Sequence, residues 1–268
     1  FAQAARKRSL NGEKIYSLGL GEPDFSVPQE IIDATMHVIQ TKKSGYSAPL
    51  GLPQLRDKIS RKLKVENGIN CDRNNIFIGA GAKQAFQLIA SVILRPKDEV
   101  IILNPAYVSF EPQVLIAEPN CKVIKVDVSK SNFSIPIKSI ENAITPKTKL
   151  LIVNSPNNPA GYILTVKDLS YLYDLSVKHN FYLLSDEIYE KLIFGDQKHF
   201  SPGSLESYPK NVITINGFSK SHAMTGWRLG YACIPLELIS DVQKIQIHTN
   251  TNTCTFIQEA VSIAFDLD

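Results

Sequence analysis

Short, continuous apolar runs alternate with helical patterns from about residue 75 onward, and this alternation is the strongest constraint on the fold. Continuous apolar runs are typical of strands that helices cover on both faces. Strands separated by helices need crossover connections, so we expect most of the sheet to be parallel. The predicted strands are residues 75–78, 99–103, 122–126, 149–153, 181–184, 212–215 and 230–233.

Helical patterns occupy the segments between these strands and before the first of them. They lie at residues 83–94, 109–117, 135–144, 166–179, 236–248 and 256–265, with earlier ones near the start, at 28–40 and at 54–66. A short apolar segment is also predicted at residues 14–20. We therefore predict an α/β fold: a three-layer αβα large domain over residues 30–268, with a mostly parallel mixed sheet of about seven strands. Residues 1–29 are predicted to be a separate N-terminal segment.

Composition excludes several classes of protein. The 29 basic and 26 acidic residues among 268 are interspersed and give a net charge of +3, which does not favour nucleic acid or anionic membrane as a partner. No apolar run approaches the roughly 18 residues that span a bilayer. The four cysteines form no CxxC pair and the five histidines no HExxH motif, so we assign no disulfide scaffold and no metal. Reduced thiols suit a cytoplasmic protein.

The loops that follow strands should hold the chemistry, because open α/β sheets bind ligands beyond the carboxyl ends of their strands. In the first such loop, Gly79 and Gly81 precede a helix whose N–H groups could approach a phosphate. Dinucleotide binding is the rival interpretation, but Gln84 stands where a third glycine is needed, and Asp98 and Glu99 precede the next strand. A tight turn without a ligand is also open.

Three further loops carry candidate side chains. Tyr107 could stack on a planar ring or serve ordinary packing. Residues 153–161 hold three asparagines and two prolines, which would present amide donors from a rigid loop or place asparagine in unusual backbone conformations. Asp186 follows an apolar run and needs a partner if buried, with Tyr189 on the same side of a helical turn; helix capping is the alternative.

Lys220 lies in a turn-forming segment with Gly217 and Ser219, and Arg228 follows eight residues later. A lysine at a strand end beside a fixed cation suits a Schiff-base lysine near an anionic cofactor, although a solvated surface lysine is the commoner case. Together the loops supply a lysine, an acid, a phenol, amides, an aromatic ring and a phosphate nest. This set fits pyridoxal 5'-phosphate.

The chain resembles the class I aminotransferases of the fold-type I pyridoxal-phosphate family, most closely the bacterial-type aspartate aminotransferases. The resemblance runs through residues 21–25, 45–46, 81–84, 154–159, 185–189 and 219–228 in order. It implies that Lys220 forms a Schiff base with the cofactor and then carries a proton, and that Asp186 pairs with the pyridinium nitrogen. Asn158 and Tyr189 would bind the 3-oxygen of the ring, on which Tyr107 would stack.

The resemblance also assigns the phosphate and the substrate. Its phosphate-binding residues would be Gly81, Ala82, Lys83, Ser219 and Arg228. Tyr46 would reach the phosphate of a partner subunit, which implies a homodimer. The substrate would contact Gly21, Lys83, Tyr107 and Asn158, with Gly21 at the α-carboxylate. The chain departs from the family pattern at Ala160, where threonine is usual, and at Gly217, where some relatives offer a serine to the phosphate.

In the aspartate-specific branch, a lysine at position 83 faces the distal carboxylate of the substrate. The expected reaction is therefore ping-pong transfer from L-aspartate to 2-oxoglutarate, giving oxaloacetate and L-glutamate. The alternatives are an aminotransferase of aromatic, prephenate or alanine specificity and a carbon–sulfur lyase of the same fold. A non-catalytic effector-binding module and a nicotinamide-dependent dehydrogenase are the alternatives from other classes.

Both ends of the sequence lead us to expect a fragment of a longer protein. The chain begins at Phe1 inside a helical pattern, and it ends at Asp268 just after an apolar helical run. The resemblance implies that a C-terminal small domain, with the arginine that grips the substrate α-carboxylate, lies beyond Asp268.

Overall fold

A computed structural model describes residues 2–16, 21–41 and 45–266 of the chain. Its strands are β1 (Ile76–Gly79), β2 (Glu99–Asn104), β3 (Lys122–Asp127), β4 (Thr148–Asn154), β5 (Tyr182–Asp186), β6 (Val212–Gly217) and β7 (Gly230–Cys233). Its α-helices are α1 (Ala2–Leu10), α2 (Gln29–Thr41), α3 (Pro53–Glu66), α4 (Ala82–Ile93), α5 (Phe110–Ala117), α6 (Ile137–Ala143), α7 (Val166–His179), α8 (Leu236–Thr249) and α9 (Thr255–Val261).

The seven strands form one sheet in the order β1-β7-β6-β5-β4-β2-β3. Strand β7 runs antiparallel to both of its neighbours, and the other pairs are parallel. The predicted α/β architecture with a mostly parallel, seven-stranded mixed sheet is confirmed. All the parallel strands therefore end at the same edge of the sheet, which is where the candidate residues lie.

Both faces of the sheet are buried, which explains the continuous apolar runs. Successive residues of a strand point to opposite faces, so Ile102 and Ile152 join one hydrophobic cluster while Ile101 and Leu151 join another. The first cluster includes residues of α4, α5 and α8, and the second includes residues of α6 and α7. A third cluster joins α2, α3 and α9 to β1 and β7. These helices form the outer layers of the predicted αβα arrangement.

Every strand except β7 continues one or two residues beyond its predicted end. The prediction ended each strand at its last apolar residue, but the hydrogen-bonded ladder continues through polar residues and glycine. Asn104 pairs with Asp127, and Asn154 pairs with Asp186. The polar residues at the sheet edge are thus part of the rigid sheet, with backbone positions fixed by their neighbours.

Some helix boundaries also differ from prediction. Pro136 lies at the N-cap of α6, so this helix starts two residues later than predicted. Pro28 precedes α2 and supplies its carbonyl to the Ile31 N–H (3.1 Å) instead of occupying the first turn. The apolar run at 256–265 divides into α9 and a 3-10 turn, Ser262–Phe265.

Three other predictions concern the apolar segment at residues 14–20, the domain division at residue 30 and membrane-spanning segments. Residues 17–20 of the predicted apolar segment at 14–20 lie outside the described residues. The division into an N-terminal segment and a large domain at residue 30 stays a prediction. Within the described ranges, no helix combines the length and the apolar character needed to cross a membrane.

Two glycines bring β6, β7 and the start of α4 together. A Cβ added at Gly230 would lie 2.4 Å from the Ala82 nitrogen, so β7 abuts the first residue of α4. A Cβ at Gly217 would lie 2.9 Å from the Gly230 Cα. A side chain at position 217 would therefore have to displace the backbone of β7, which favours the glycine found there.

Gly230→Ala is expected to destabilise the protein by about 1–3 kcal/mol, since a methyl group in this contact must displace backbone. Thermal or urea unfolding measures the loss. Gly226→Ala is the matched control, because a Cβ at Gly226 meets nothing within 4 Å. Equal stability of the two variants would contradict the close approach of β7 to α4.

Candidate active site

A cavity of about 780 Å³ opens at the carboxyl edge of the sheet. Ten predicted site residues line it: Gly21, Ala82, Lys83, Tyr107, Asn158, Asp186, Tyr189, Ser219, Lys220 and Arg228. Gly81 lies beside it against the Arg228 side chain. Tyr46 does not line this cavity and is 89% exposed. The structure thus brings together residues that are up to about 200 positions apart in the sequence, as the strand-end argument requires.

The start of α4 forms one wall of the cavity. Gly81 is the N-cap residue, with a φ of 84° that suits glycine, and its carbonyl accepts the N–H of Gln84 at 3.1 Å. The N–H groups of Ala82 and Lys83 have no intrahelical acceptor because they belong to the first turn. The Gln84 side chain accepts the N–H of Ala80 at 2.5 Å, so this residue braces the loop where a dinucleotide motif would have glycine. The helix start is therefore free to bind an anion.

Arg228 adds a cation beside the start of α4. It adopts a left-handed backbone conformation, with φ 56°, at the end of a short 3-10 turn. Its Nη1 donates to the Thr225 carbonyl at 2.8 Å, and its Nη2 donates to the Ala80 carbonyl at 3.3 Å. A Cβ at Gly81 would lie 2.6 Å from Nη2, so a side chain there would push the guanidinium out of this position. The carbonyls of Thr225 and Ala80 hold the guanidinium in place without a bound anion.

Lys220 lines the same cavity as this anion site. Its Nζ donates to the Gly21 carbonyl and lies 5.7 Å from the centroid of the Tyr189 ring. Partial burial lowers the pKa of Lys220, and the Arg228 charge lowers it further, while Glu22 and Tyr107 oppose the shift. A larger fraction of this amine is therefore neutral near pH 7 than for an ordinary lysine. A neutral amine can act as nucleophile or base.

Asp186 is the last residue of β5 and is only 8% exposed. Burial raises the pKa of Asp186 to about 7, the Glu187 charge adds to the rise, and the N–H of Ile188, 3.2 Å from Oδ1, opposes it. No lysine, arginine or histidine in the described parts of the chain forms an ion pair with it. A cationic group brought by a ligand would satisfy this carboxyl group. Within the described residues no helix begins directly after Asp186, so the bond to the Ile188 N–H closes a turn and does not cap a helix.

Asn158 and Tyr189 form a donor pair beside Asp186. The Asn158 Nδ2 donates to the Tyr189 hydroxyl at 3.1 Å, and its backbone N–H donates to the Asn154 Oδ1 at 2.7 Å. Asn154 in turn donates to the Asp186 carbonyl at 3.0 Å. Burial raises the pKa of Tyr189, and the Asn158 contact moderates that rise. None of the asparagines of this loop has a positive φ, but the Asn158–Pro159 peptide bond is cis.

Tyr107 and Lys83 form the outer wall. The Lys83 Nζ lies 5.6 Å from the centroid of the Tyr107 ring, which packs edge-on against Phe110 at 5.6 Å. Burial raises the pKa of Tyr107, but hydrogen bonds with Ser109 and Lys83 outweigh it, so the pKa is lowered overall. The buried Gln113 donates from Nε2 to the Lys83 carbonyl at 2.7 Å. The Lys83 backbone is thus fixed while its ammonium faces the cavity.

Several lining residues were not predicted from the sequence. They are Phe86, Ala106, Val108, Phe110, Gln113, Asn154, Pro159, Ile188 and Thr225. Phe86, Phe110 and Gln113 lie on helices and look like core positions. Asn154 could have been found, because it stands at a strand end within the asparagine-rich loop.

Comparison with known proteins agrees with this geometry. The profile of the family Aminotransferase class I and II matches residues 13–266. An aspartate aminotransferase of Pyrococcus abyssi is 41% identical over 252 residues, which is 93% of this chain and 64% of that protein. Aromatic-amino-acid aminotransferase 2 of Thermococcus litoralis is 38% identical over 94% of this chain and 65% of its own length. The chain therefore spans 64–65% of these two curated relatives.

Solved structures agree as well. Aspartate aminotransferase of Thermus thermophilus with maleate superposes with a TM-score of 0.93 at 37% identity, covering 98% of this chain and 68% of that one. An aromatic aminotransferase of Pyrococcus horikoshii superposes with a TM-score of 0.90 at 38% identity, covering 98% of this chain and 70% of that one. This chain belongs to the class I and II aminotransferase family.

Proposed function

Because the chain belongs to the class I and II aminotransferases, we propose that it is the cofactor-binding part of an enzyme that moves an amino group between an L-amino acid and a 2-oxo acid. One observation carries the proposal. Asp186 is buried without a cation from the described residues, in a cavity that also holds Lys220 and a preformed anion site. A nicotinamide-dependent dehydrogenase is excluded by the family, and a non-catalytic effector module would need neither Lys220 nor Asp186.

Pyridoxal phosphate fits these residues. Its phosphate matches the free N–H groups of Ala82 and Lys83, the Arg228 guanidinium and the neighbouring Ser219. Its ring nitrogen, once protonated, supplies the cation that the buried Asp186 carboxyl group lacks. The aromatic ring of Tyr107 lines the same cavity and offers a surface on which the cofactor ring could stack.

When bound, pyridoxal phosphate supplies an aldehyde that condenses with amines and a ring that withdraws electrons from the substrate Cα. Lys220, with its lowered pKa, provides an amine that can bind the aldehyde and afterwards move a proton at the substrate Cα. Asp186 holds a proton at the ring nitrogen. Tyr189 and Asn158, which are paired at 3.1 Å, would hold the ring oxygen through their hydroxyl and amide groups.

The proposed amino donor is L-aspartate and the acceptor is 2-oxoglutarate, exchanged in a ping-pong cycle. The Lys83 ammonium lines the cavity and offers a charge partner for a distal carboxylate. Relatives named aspartate aminotransferase support this choice. Aromatic or prephenate specificity is the second candidate, favoured by relatives with those names and by Phe86 and Phe110 in the cavity wall.

Lys83→Ser is expected to lower kcat/KM for L-aspartate by about tenfold to a hundredfold, the usual worth of a hydrogen bond to a charged group. Turnover of L-alanine should change much less, because alanine has no distal carboxylate. Steady-state kinetics with both amino acids on the full-length protein measures the difference. An equal loss on the two substrates would contradict a role for Lys83 in substrate choice.

The absorbance spectrum of the full-length protein tests the proposed function itself. We expect a band near the visible edge that borohydride removes, with the reduced label recovered on a peptide containing Lys220. A protein that stays colourless after addition of pyridoxal phosphate would contradict the proposal.

We also propose a cytoplasmic homodimer in which Tyr46 serves the partner subunit. The Tyr46 side chain is 89% exposed, while the carbonyl of Gly45 accepts the Thr255 hydroxyl at 2.8 Å. The exposed Tyr46 side chain, on a loop that is held by this hydrogen bond, suits a contact with a partner subunit. The four cysteines are free thiols, which suits a reducing compartment. Sedimentation of the full-length protein as a monomer would contradict the dimer.

A further inference from the structure

A buried polar cluster surrounds Glu187, the residue that follows Asp186 in the chain. We call it the Glu187 cluster; it consists of Lys62, Asn67, Glu187, Glu190, His199 and Ser201. The Glu187 side chain is 0% exposed, although a buried carboxylate is costly unless it is fully paired. Neither the predicted site nor the proposed reaction uses this residue. Its burial next to Asp186 therefore needs its own explanation.

The Glu187 carboxylate is hydrogen-bonded from several elements. It accepts the Ser185 hydroxyl at 2.9 Å, the Asn67 Nδ2 at 3.3 Å and the His199 Nε2 at 2.9 Å. The Ser201 hydroxyl also donates to it. Asn67 follows α3, and His199 and Ser201 lie in the loop before β6. Glu187 therefore ties the end of β5 to two other parts of the fold.

The charges of the cluster balance. Glu190 forms an ion pair with Lys62, and each of the two side chains is 8% exposed. The second carboxylate, Glu187, faces His199. Burial lowers the pKa of His199, but the hydrogen bond and charge of Glu187 outweigh it, so the pKa is raised. With His199 protonated, two anions face two cations.

Glu187, Glu190 and His199 resemble metal ligands, since their ligand atoms lie within 4.8 Å of one another. The Lys62 ammonium already binds Glu190, and the Asn67 amide donates to both carboxylates. The negative charge that would attract a metal ion is thus neutralised by the protein's own cations. The cluster is better explained as an internal ion network.

This network fixes the turn that carries two of the candidate catalytic groups. The Glu187 N–H donates to the Ile215 carbonyl of β6 at 2.8 Å, and its carbonyl accepts the Glu190 N–H at 2.9 Å. Asp186 and Tyr189 lie on this turn and face the cavity. Glu187 is thus held by its side chain on one side and by its backbone on the other. The orientation of the turn depends on it.

We propose that Glu187, anchored by His199, Ser201 and Asn67, is a positioning residue that sets how firmly Asp186 and the cofactor ring nitrogen share a proton. The inference rests on the proposed function. A negative charge behind Asp186 favours a proton at that place, and His199 moderates the effect with its positive charge. Among the described residues, further ionisable groups around the cluster are Glu66 of α3, Lys191 of the turn, and Tyr231 and Cys233 of β7.

The test uses the full-length protein loaded with pyridoxal phosphate that carries ¹⁵N in its ring, since the nitrogen chemical shift reports ring protonation directly. In Glu187→Gln the ring nitrogen should lose its proton at a lower pH than in wild type, by less than about one unit, because the negative charge is gone and His199, whose pKa Glu187 raises, loses part of its positive charge. In His199→Gln the change should have the opposite sign, because Glu187 is left uncompensated. Opposite signs distinguish a charge effect from general damage.

Glu206→Gln is the matched control. Glu206 is also a buried carboxylate, 8% exposed, but it accepts backbone N–H groups from Lys210, Asn211 and Val212 at the opposite end of β6. This variant should lose thermal stability and keep the wild-type nitrogen titration.

Three results would overturn the inference. They are a wild-type titration in Glu187→Gln, a shift of the same sign in Glu187→Gln and His199→Gln, and an equal shift in Glu206→Gln. If Glu187→Gln does not fold, His199→Gln alone decides, and an unchanged titration there overturns the role. Wild-type protein that takes up no labelled cofactor would instead contradict the proposed function, and with it this inference.

Discussion

Lys220→Ala is expected to lower kcat for transamination by at least about four orders of magnitude, because one amine acts as both nucleophile and proton carrier. Of the described residues that line the cavity, only Lys83 and Lys220 are lysines, and the Lys83 Nζ lies over the Tyr107 ring. Neither role can therefore pass to a neighbour. The anion site and Asp186 stay intact, so the variant should still bind pyridoxal phosphate without a covalent link.

The measurement combines steady-state rates with borohydride labelling. Wild-type protein should retain reduced cofactor on the peptide that contains Lys220, and Lys220→Ala should retain none after denaturation. Lys138→Ala, at an exposed position of α6, should behave as wild type. Labelling of another lysine in the variant with retained turnover would assign the Schiff base elsewhere.

The topology could be predicted because the residues of each strand form an apolar run that predicts a strand by itself. Runs such as residues 150–153 are apolar on both faces, and that pattern has few solutions other than a covered parallel sheet. The antiparallel direction of β7 could not be predicted in this way. Direction depends on how residues 218–229 cross the end of the sheet, and the contact of Gly230 with α4 is a tertiary feature that no local pattern encodes.

The candidate site was predictable wherever a polar residue interrupts an apolar run at a strand end, as Asp186 does. The Glu187 cluster escaped prediction for the opposite reason. Glu187 sits one residue further on and looks like a solvated acid, whereas His199 and Ser201 lie in a loop with no motif. Only the packing of α3 against the turn brings Asn67 and Lys62 to these acids. Buried charge networks of this kind depend on contacts distant in sequence.

Asp186→Asn should lower the activity of the protein with cofactor but raise the stability of the protein without cofactor. Asparagine keeps the shape of the side chain and can still accept the Ile188 N–H. It cannot carry the negative charge that balances a protonated ring nitrogen. Breaking such a buried pair costs about 3–5 kcal/mol, so kcat should fall by roughly a hundredfold to several thousandfold. Cofactor affinity should fall as well.

Without cofactor the same change should stabilise the protein at alkaline pH. The pKa of Asp186 is about 7 in the folded protein, against 3.8 ordinarily, so the folded state holds this proton more tightly than the unfolded state. Wild-type stability therefore falls as pH rises from about 4 to about 7, then levels off once the folded carboxyl group is also ionised. The asparagine variant has no such loss of stability, because its side chain does not ionise. The variant should gain on the order of a few kcal/mol at pH 8 and little at pH 4.

Urea unfolding of both apo proteins at pH 4 and pH 8, with cofactor titrations of the same samples, tests the two effects together. Glu206→Gln again serves as the control, because removing a buried carboxylate that is paired with backbone N–H groups should destabilise at pH 8. An apo Asp186→Asn protein less stable than wild type at pH 8 would mean that Asp186 already has a partner. The cation from the cofactor would then not be what completes this site, and the main support for the proposed function would be gone.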